Sequence, residues 1–123
     1  MNADELDATF HALASEPRRR MLDWLVQEPG CNVNRLTERF EGEFSRFGVM
    51  KHLQVLERGN LVVSIKEGRE RLLWFNAVPI QLIHERWTSE YSAYWAAKLT
   101  RLKVGAEGAE VHPFPATKKG RKR

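Results

Sequence analysis

The side chains with the most chemistry to offer lie between Phe44 and Phe75, where Arg46, Lys51, Arg58, Lys66, Arg69 and Arg71 face only Glu57, Glu67 and Glu70. Guanidinium and ammonium groups in that excess, with histidine His52 among them, suit the binding of a polyanion: phosphates take the cations and base edges take directed donors. Catalysis has no comparable constellation. The chain has no glycine-rich phosphate loop and no carboxylate pair at a working spacing, and its single cysteine, Cys31, has no base close in sequence. We therefore expect no enzyme and no cofactor. His11 and His84 stand singly on helical segments, which suits structural or solvated roles.

Overall charge is a poor guide to where binding happens. The net charge is +4, but five cations sit in the last six residues, KKGRKR, which leaves residues 1 to 117 at −1. The placement of cations within the fold matters more than their sum. At 123 residues, 42% of them apolar and 29% charged, the chain fits one soluble domain with a modest core that gains from a partner subunit. No run approaches the ~18 apolar residues of a membrane span, and the start, MNADELDATF, is acidic where a signal peptide begins basic, so a cytoplasmic protein without membrane contact is expected.

Hydrophobic periodicity supplies the elements that position these groups. Leu6, Phe10 and Leu13 mark one face of a first helix. Ser15, Glu16 and Pro17 open a second, with Met21, Leu22, Leu25 and Val26 inward, ending at Pro29-Gly30. A short third helix spans Asn34 to Phe40 with Val33, Leu36 and Phe40 inward, and EGEF breaks it. Ser45 caps a fourth, whose core stripe is Val49, Leu53 and Leu56, leaving Arg46, Phe47, Gly48, Met50 and Lys51 off the stripe near the N-terminal end. Gly59-Asn60 ends it through left-handed backbone. Two β-rich runs, LVVSIK and RLLWFN, then flank the turn EGRE as a hairpin. From Pro79 one helix is expected to run to about Lys103.

Short helix, turn, capped helix and hairpin form the order of a winged helix-turn-helix, in a fold that is mainly α with a small β-hairpin. In that arrangement the N-terminal residues of the second helix enter the major groove and the wing lies along the backbone. The candidate DNA-binding residues are Ser45, Arg46, Phe47, Gly48, Met50, Lys51 and His52 on the helix, with Lys66, Arg69 and Arg71 on the wing. Phe47 has two readings, packing on the preceding helix or meeting a thymine methyl. His52 likewise either contacts phosphate or bonds within the domain. Arg18, Arg19 and Arg20 are either solvated or close to the DNA backbone.

LASEPRRRML (Leu13 to Leu22), SRFGVMKHLQVLERGNLV (Ser45 to Val62) and IKEGRERLLWF (Ile65 to Phe75) together resemble the ArsR family of bacterial transcriptional repressors over roughly residues 3 to 103. The resemblance implies a symmetric homodimer that binds a palindromic operator and represses its own operon. It also exposes departures. The family's metal-sensing C-V-C pattern corresponds to CNVNRL, with Asn32 and Asn34 where thiols would be, and the last helix carries His84 without the family's other ligands, so no metal is expected. EGEF is longer than the family's usual turn.

N- and C-terminal helices are expected to form the dimer interface, through Leu6, Phe10, Ile83, Trp87, Tyr91, Trp95 and Leu99, because so short a chain has little left to cover that ring surface. The same aromatics would alternatively line a pocket for an unknown apolar effector. Residues 1–104 are expected to form the DNA-binding and dimerisation domain, and 105–123 a disordered basic tail that touches phosphates or does nothing. The alternative to a DNA-binding regulator is a winged-helix protein-interaction module that does not itself read DNA.

Overall fold

Short polar side chains start each of the first four helices. In the computed structural model, which describes residues 1–88 and 90–107 (backbone alone at 90–92 and 106–107), Asn2 caps α1 (Ala3–Leu13) and Ser15 caps α2 (Glu16–Gln27). Asn32 caps α3 (Val33–Arg39) and Ser45 caps α4 (Arg46–Arg58). In each case the side-chain oxygen accepts from the backbone N–H three residues on, satisfying a donor that the helix cannot. Such a cap is worth ~1 kcal/mol.

The helices close over one core in which Met21, Leu25, Leu36, Phe40, Val49, Leu53 and Leu56 are fully buried, joined by Val33 and Leu22. These are the residues the periodicity assigns inward. Val26 and Phe10 are exceptions: Val26 lies past the edge of its stripe near the end of α2, α1 buries Thr9 and Ala12, and both Val26 and Phe10 are exposed to solvent. Thr9 on α1 is buried; its hydroxyl donates to the Gly59 carbonyl at 2.9 Å and the Glu5 carbonyl at 3.0 Å. This contact explains Gly59. Its φ is −80°, so left-handed backbone is not the reason for glycine; a Cβ there would meet Ala12 Cβ at 2.9 Å and the Ala8 carbonyl oxygen at 3.0 Å. Asn60 alone takes the left-handed step, at φ 60°.

The hairpin forms from β2 (Val62–Glu67) and β3 (Glu70–Phe75), with Gly68 at φ +65° opening its two-residue loop. A third strand, β1 (Cys31–Asn32), pairs antiparallel with the other edge of β3, placing Cys31 opposite Leu73 and Asn32 opposite Leu72. The sheet is therefore three-stranded, in the order β1-β3-β2, where the sequence pattern predicts a hairpin alone. Two residues carry no readable alternation, and their pairing depends on β3 arriving from far along the chain.

The single terminal helix is corrected to two, α5 (Val78–Trp87) and α6 (Glu90–Glu107). Thr88 follows α5, with its hydroxyl turned back onto the His84 carbonyl, the local bond by which threonine competes with helical continuation. α6 runs through Gly105 to Glu107, beyond the boundary expected at 104, because Ala106 and Glu107 are good helix formers. The remainder of the expected tail, with KKGRKR, lies outside the described residues. By compactness the chain divides into one unit of residues 1–82 and a second beginning at Ile83. No helix among the described residues is long and apolar enough to cross a membrane.

Candidate nucleic-acid interface

Burial of Val49, Leu53 and Leu56 decides what α4 offers to solvent. At 100° per residue the side chains opposite that stripe are Phe47, Lys51, Gln54 and Arg58, and all four are exposed. Phe47 is 70% exposed, and the Lys51 ammonium lies 5.2 Å from its ring centre. Glu57, the one carboxylate on α4, is off this face and engaged elsewhere. Gln54 and Arg58 are absent from the candidates drawn from sequence, although the same arithmetic that finds the core stripe finds them as its complement.

The turn before α4 is anchored from below. Phe40 is buried, Phe44 packs against it at 5.9 Å between ring centres, and the Phe40 carbonyl accepts from the N–H groups of Glu43 and Phe44. Gly42, at φ +88°, permits the reversal. Arg20 of α2 lies over the Phe40 ring at 5.2 Å, donates to Glu43 at 2.8 Å and is ion-paired with Glu16 at 2.9 Å. The Glu43 hydrogen bond, followed by the Glu16 carboxylate, holds its pKa above the ordinary arginine value.

Its neighbours are engaged as well. Arg18 donates to the carbonyls of Ala12 and His11 at 2.9 and 2.8 Å, and Arg19 to that of Leu13 at 2.7 Å, closing the C-terminal end of α1 with positive charge. The three consecutive arginines are thus structural groups of the scaffold. Arg35 and Arg39 converge on Glu28 at 3.0 and 2.6 Å, and Arg39 also covers the Trp24 ring at 4.1 Å.

Among the residues singled out for DNA, Ser45 is occupied as the cap, its Oγ 3.1 Å from the Gly48 nitrogen. Arg46 is exposed and donates to Asn34 Oδ1 at 2.5 Å. Gly48 lies beside Phe44, where a Cβ would make ordinary contact at 3.5 Å, so packing does not demand glycine. Met50 is half-buried and lines an open cleft with Asn34, Arg46, Arg69 and Arg71. His52 points away from the outward stripe, into an edge-on contact with Phe44 at 5.3 Å and to within 3.4 Å of Arg18. Burial and then the Arg18 charge push its pKa below the ordinary 6.5, which leaves the ring neutral at neutral pH.

On the wing, Lys66 and Arg69 are exposed. Arg71 is not free: its Nη2 donates to Glu57 Oε2 at 2.6 Å and to Ser64 Oγ at 2.9 Å, and the Ser64 hydroxyl donates to the same carboxylate oxygen. Both strands of the wing are thereby tied to the end of α4. Asn32 Nδ2 donates to Glu70 at 2.5 Å, which ties the start of β3 to the cap of α3.

Asn32 and Asn34, at the positions where the resemblance puts thiols, therefore serve as a helix cap and as an acceptor for Arg46. Cys31 is half-buried, and burial pushes its thiol pKa up, disfavouring the thiolate that a soft metal needs. Among the described residues no group of three His, Cys, Asp or Glu side chains is placed to hold a metal ion.

Of the dimerisation residues, Leu6 is half-buried and Phe10 exposed on α1, and Ile83 is half-buried. Trp87, Trp95 and Leu99 are exposed, with Tyr94 and Leu102 beside the last two. The Tyr91 side chain lies outside the described residues.

No protein-family model matches the chain. Individual proteins do. It is 35% identical over 91 residues to YuzN, an HTH-type transcriptional regulator of Bacillus subtilis strain 168, covering 71% of this chain and 98% of the relative. An ArsR-like transcriptional regulator from Rhodococcus sp. RHA1 superposes with a TM-score of 0.62 at 30% identity, over 87% of this chain and 94% of that one. The crystal structure of an ArsR family transcriptional regulator gives 0.63 at 27% identity, over 77% and 94%. That of a possible transcriptional regulator for arsenical resistance gives 0.54 at 28%, over 89% and 100%. With the capped α4, its outward cationic face and the attached wing, these likenesses establish that the chain belongs to the ArsR family of winged helix-turn-helix, DNA-binding transcriptional regulators.

Proposed function

We propose that the protein is a homodimeric repressor of its own operon, working in the cytoplasm on a palindromic operator. The observation that carries this reading is the outward face of α4, where Lys51, Gln54 and Arg58 stand beside Phe47 and the helix's only carboxylate is turned away. Such a face can donate to base edges and phosphates without repelling them. Lys66 and Arg69 extend it along the wing toward the backbone. The dimer is proposed to form through the exposed rings and leucines of α5 and α6, Trp87, Trp95 and Leu99, with Tyr91, Ile83, Leu6 and Phe10 as the other contributors. Burying each large side chain would contribute roughly 1.5–3 kcal/mol, counted twice across a two-fold axis.

Deleting the gene while leaving its promoter attached to a reporter should raise reporter output, and the purified protein should protect an inverted repeat in that promoter with half-sites ~34 Å apart. Output that falls on deletion would make the protein an activator instead. Sedimentation of Trp87→Ala and Trp95→Ala should show a shift toward monomer; dimers that merely melt earlier would place both rings in the subunit core.

A further inference from the structure

Phe47 is the most solvent-exposed large apolar side chain of the described residues, at 70%, and it stands at the second position of α4, on the side opposite the buried stripe. The alternative of packing on the preceding helix does not hold. Its neighbour is the Lys51 ammonium one turn on, which lies over the ring at 5.2 Å from its centre and still leaves most of its surface bare. An exposed aromatic ring costs free energy in the unbound protein unless a partner covers it. The chemistry around it selects that partner: Lys51, Gln54 and Arg58 share the face, no carboxylate does, and Arg46 precedes it. A polyanion carrying apolar points fits these neighbours, and in the major groove the apolar point is the C5-methyl of thymine.

We infer that Phe47 reads the 5-methyl group of a pyrimidine, so that the protein distinguishes thymine from uracil, and 5-methylcytosine from cytosine, at one position of each half-site. The inference rests on the DNA-binding reading above and adds a chemical identity to one contact. The methyl would settle against the ring and exclude water from both. Lys51 is left to meet a phosphate or guanine beside it, and Gln54, about two turns along, to pair with the next accessible base edge.

The test uses the full chain and duplexes selected from a random library, with each thymine of the recovered site replaced in turn by deoxyuridine. At one position per half-site the substitution should weaken binding about fourfold, the equivalent of ~0.8 kcal/mol for one methyl-sized group at 1.4 kcal/mol per tenfold, and both half-sites together by about fifteenfold. Cytosine at that position should bind more weakly than 5-methylcytosine by a similar factor. In Phe47→Ala, whose exposed position leaves folding intact, the thymine and uracil duplexes should bind alike. Selective binding that ignores the methyl, or a methyl preference that survives in Phe47→Ala, would overturn the inference alone. Failure to select any sequence would overturn the DNA-binding reading and this inference with it.

Discussion

Arginines on α2 and α3 and cations on α4 and the wing belong to the same chemical class but stand in opposite conditions. Arg18, Arg19, Arg20, Arg35 and Arg39 each have carbonyls, carboxylates or rings within reach, whereas Lys51, Arg58, Lys66 and Arg69 point outward with no carboxylate paired to them among the described residues. Saturation of partners, more than positive charge, separates scaffold from binding face. Arg71 shows the distinction within the wing itself, since it lies near exposed Arg69 yet spends its charge on Glu57.

Breaking the scaffold should cost most in stability. Phe40→Ala removes the buried ring under the turn and the surface on which Arg20 rests, and chemical denaturation should show a loss of about 3–5 kcal/mol. Arg18→Ala removes two hydrogen bonds to α1 carbonyls and should cost about 1.5–3 kcal/mol while leaving the DNA affinity of the folded fraction unchanged. On the bare face the balance reverses. Arg69→Ala should move stability by less than ~0.5 kcal/mol but flatten the plot of log K against log salt by ~0.9 for each phosphate that its guanidinium neutralises. Arg71→Ala sharpens the contrast: its charge is already matched by Glu57, so affinity should fall through a loosened wing with the salt slope nearly unchanged, and Glu57→Gln should reproduce the effect.

The smallest effect concerns His52. Burial and Arg18 lower its pKa in the folded state, so the unfolded chain takes up the proton more readily. Its contribution to stability is complete above the ordinary value of 6.5 and declines as pH falls below it, until the folded ring also protonates. Melting temperatures between pH 7 and pH 5 should fall more in the wild type than in His52→Gln.

Much of this architecture is legible in the sequence because it is periodic. Ser45 with Val49, Leu53 and Leu56 identifies α4, and the glycine turn between two β-rich runs identifies the wing. What escapes is whatever depends on distant chain. β1 is two residues paired to Leu72 and Leu73, and the tasks of Arg18 and Arg19 exist only because the end of α1 folds back to meet them. Arg71 reads as a DNA contact because sequence shows its charge and position but not Glu57 beside it, and His52 keeps two readings because sequence shows neither Phe44 nor Arg18 beside it. Gln54 and Arg58 are visible in principle, as the positions opposite the core stripe, but a reading centred on the N-terminal turn of the helix does not reach them.

The most direct measurement compares two double variants that remove equal charge, Lys51→Ala with Arg58→Ala on α4, and Arg19→Ala with Arg35→Ala on the scaffold. Affinity for a selected palindrome and for random duplex is measured for both across a salt series. The α4 pair should lose at least about tenfold on the palindrome and flatten the salt dependence, each directed contact being worth ~1–3 kcal/mol, while the scaffold pair stays within about twofold of the wild type. Equal losses in the two pairs would mean that net charge, not the outward face of α4, governs binding, and would contradict the account.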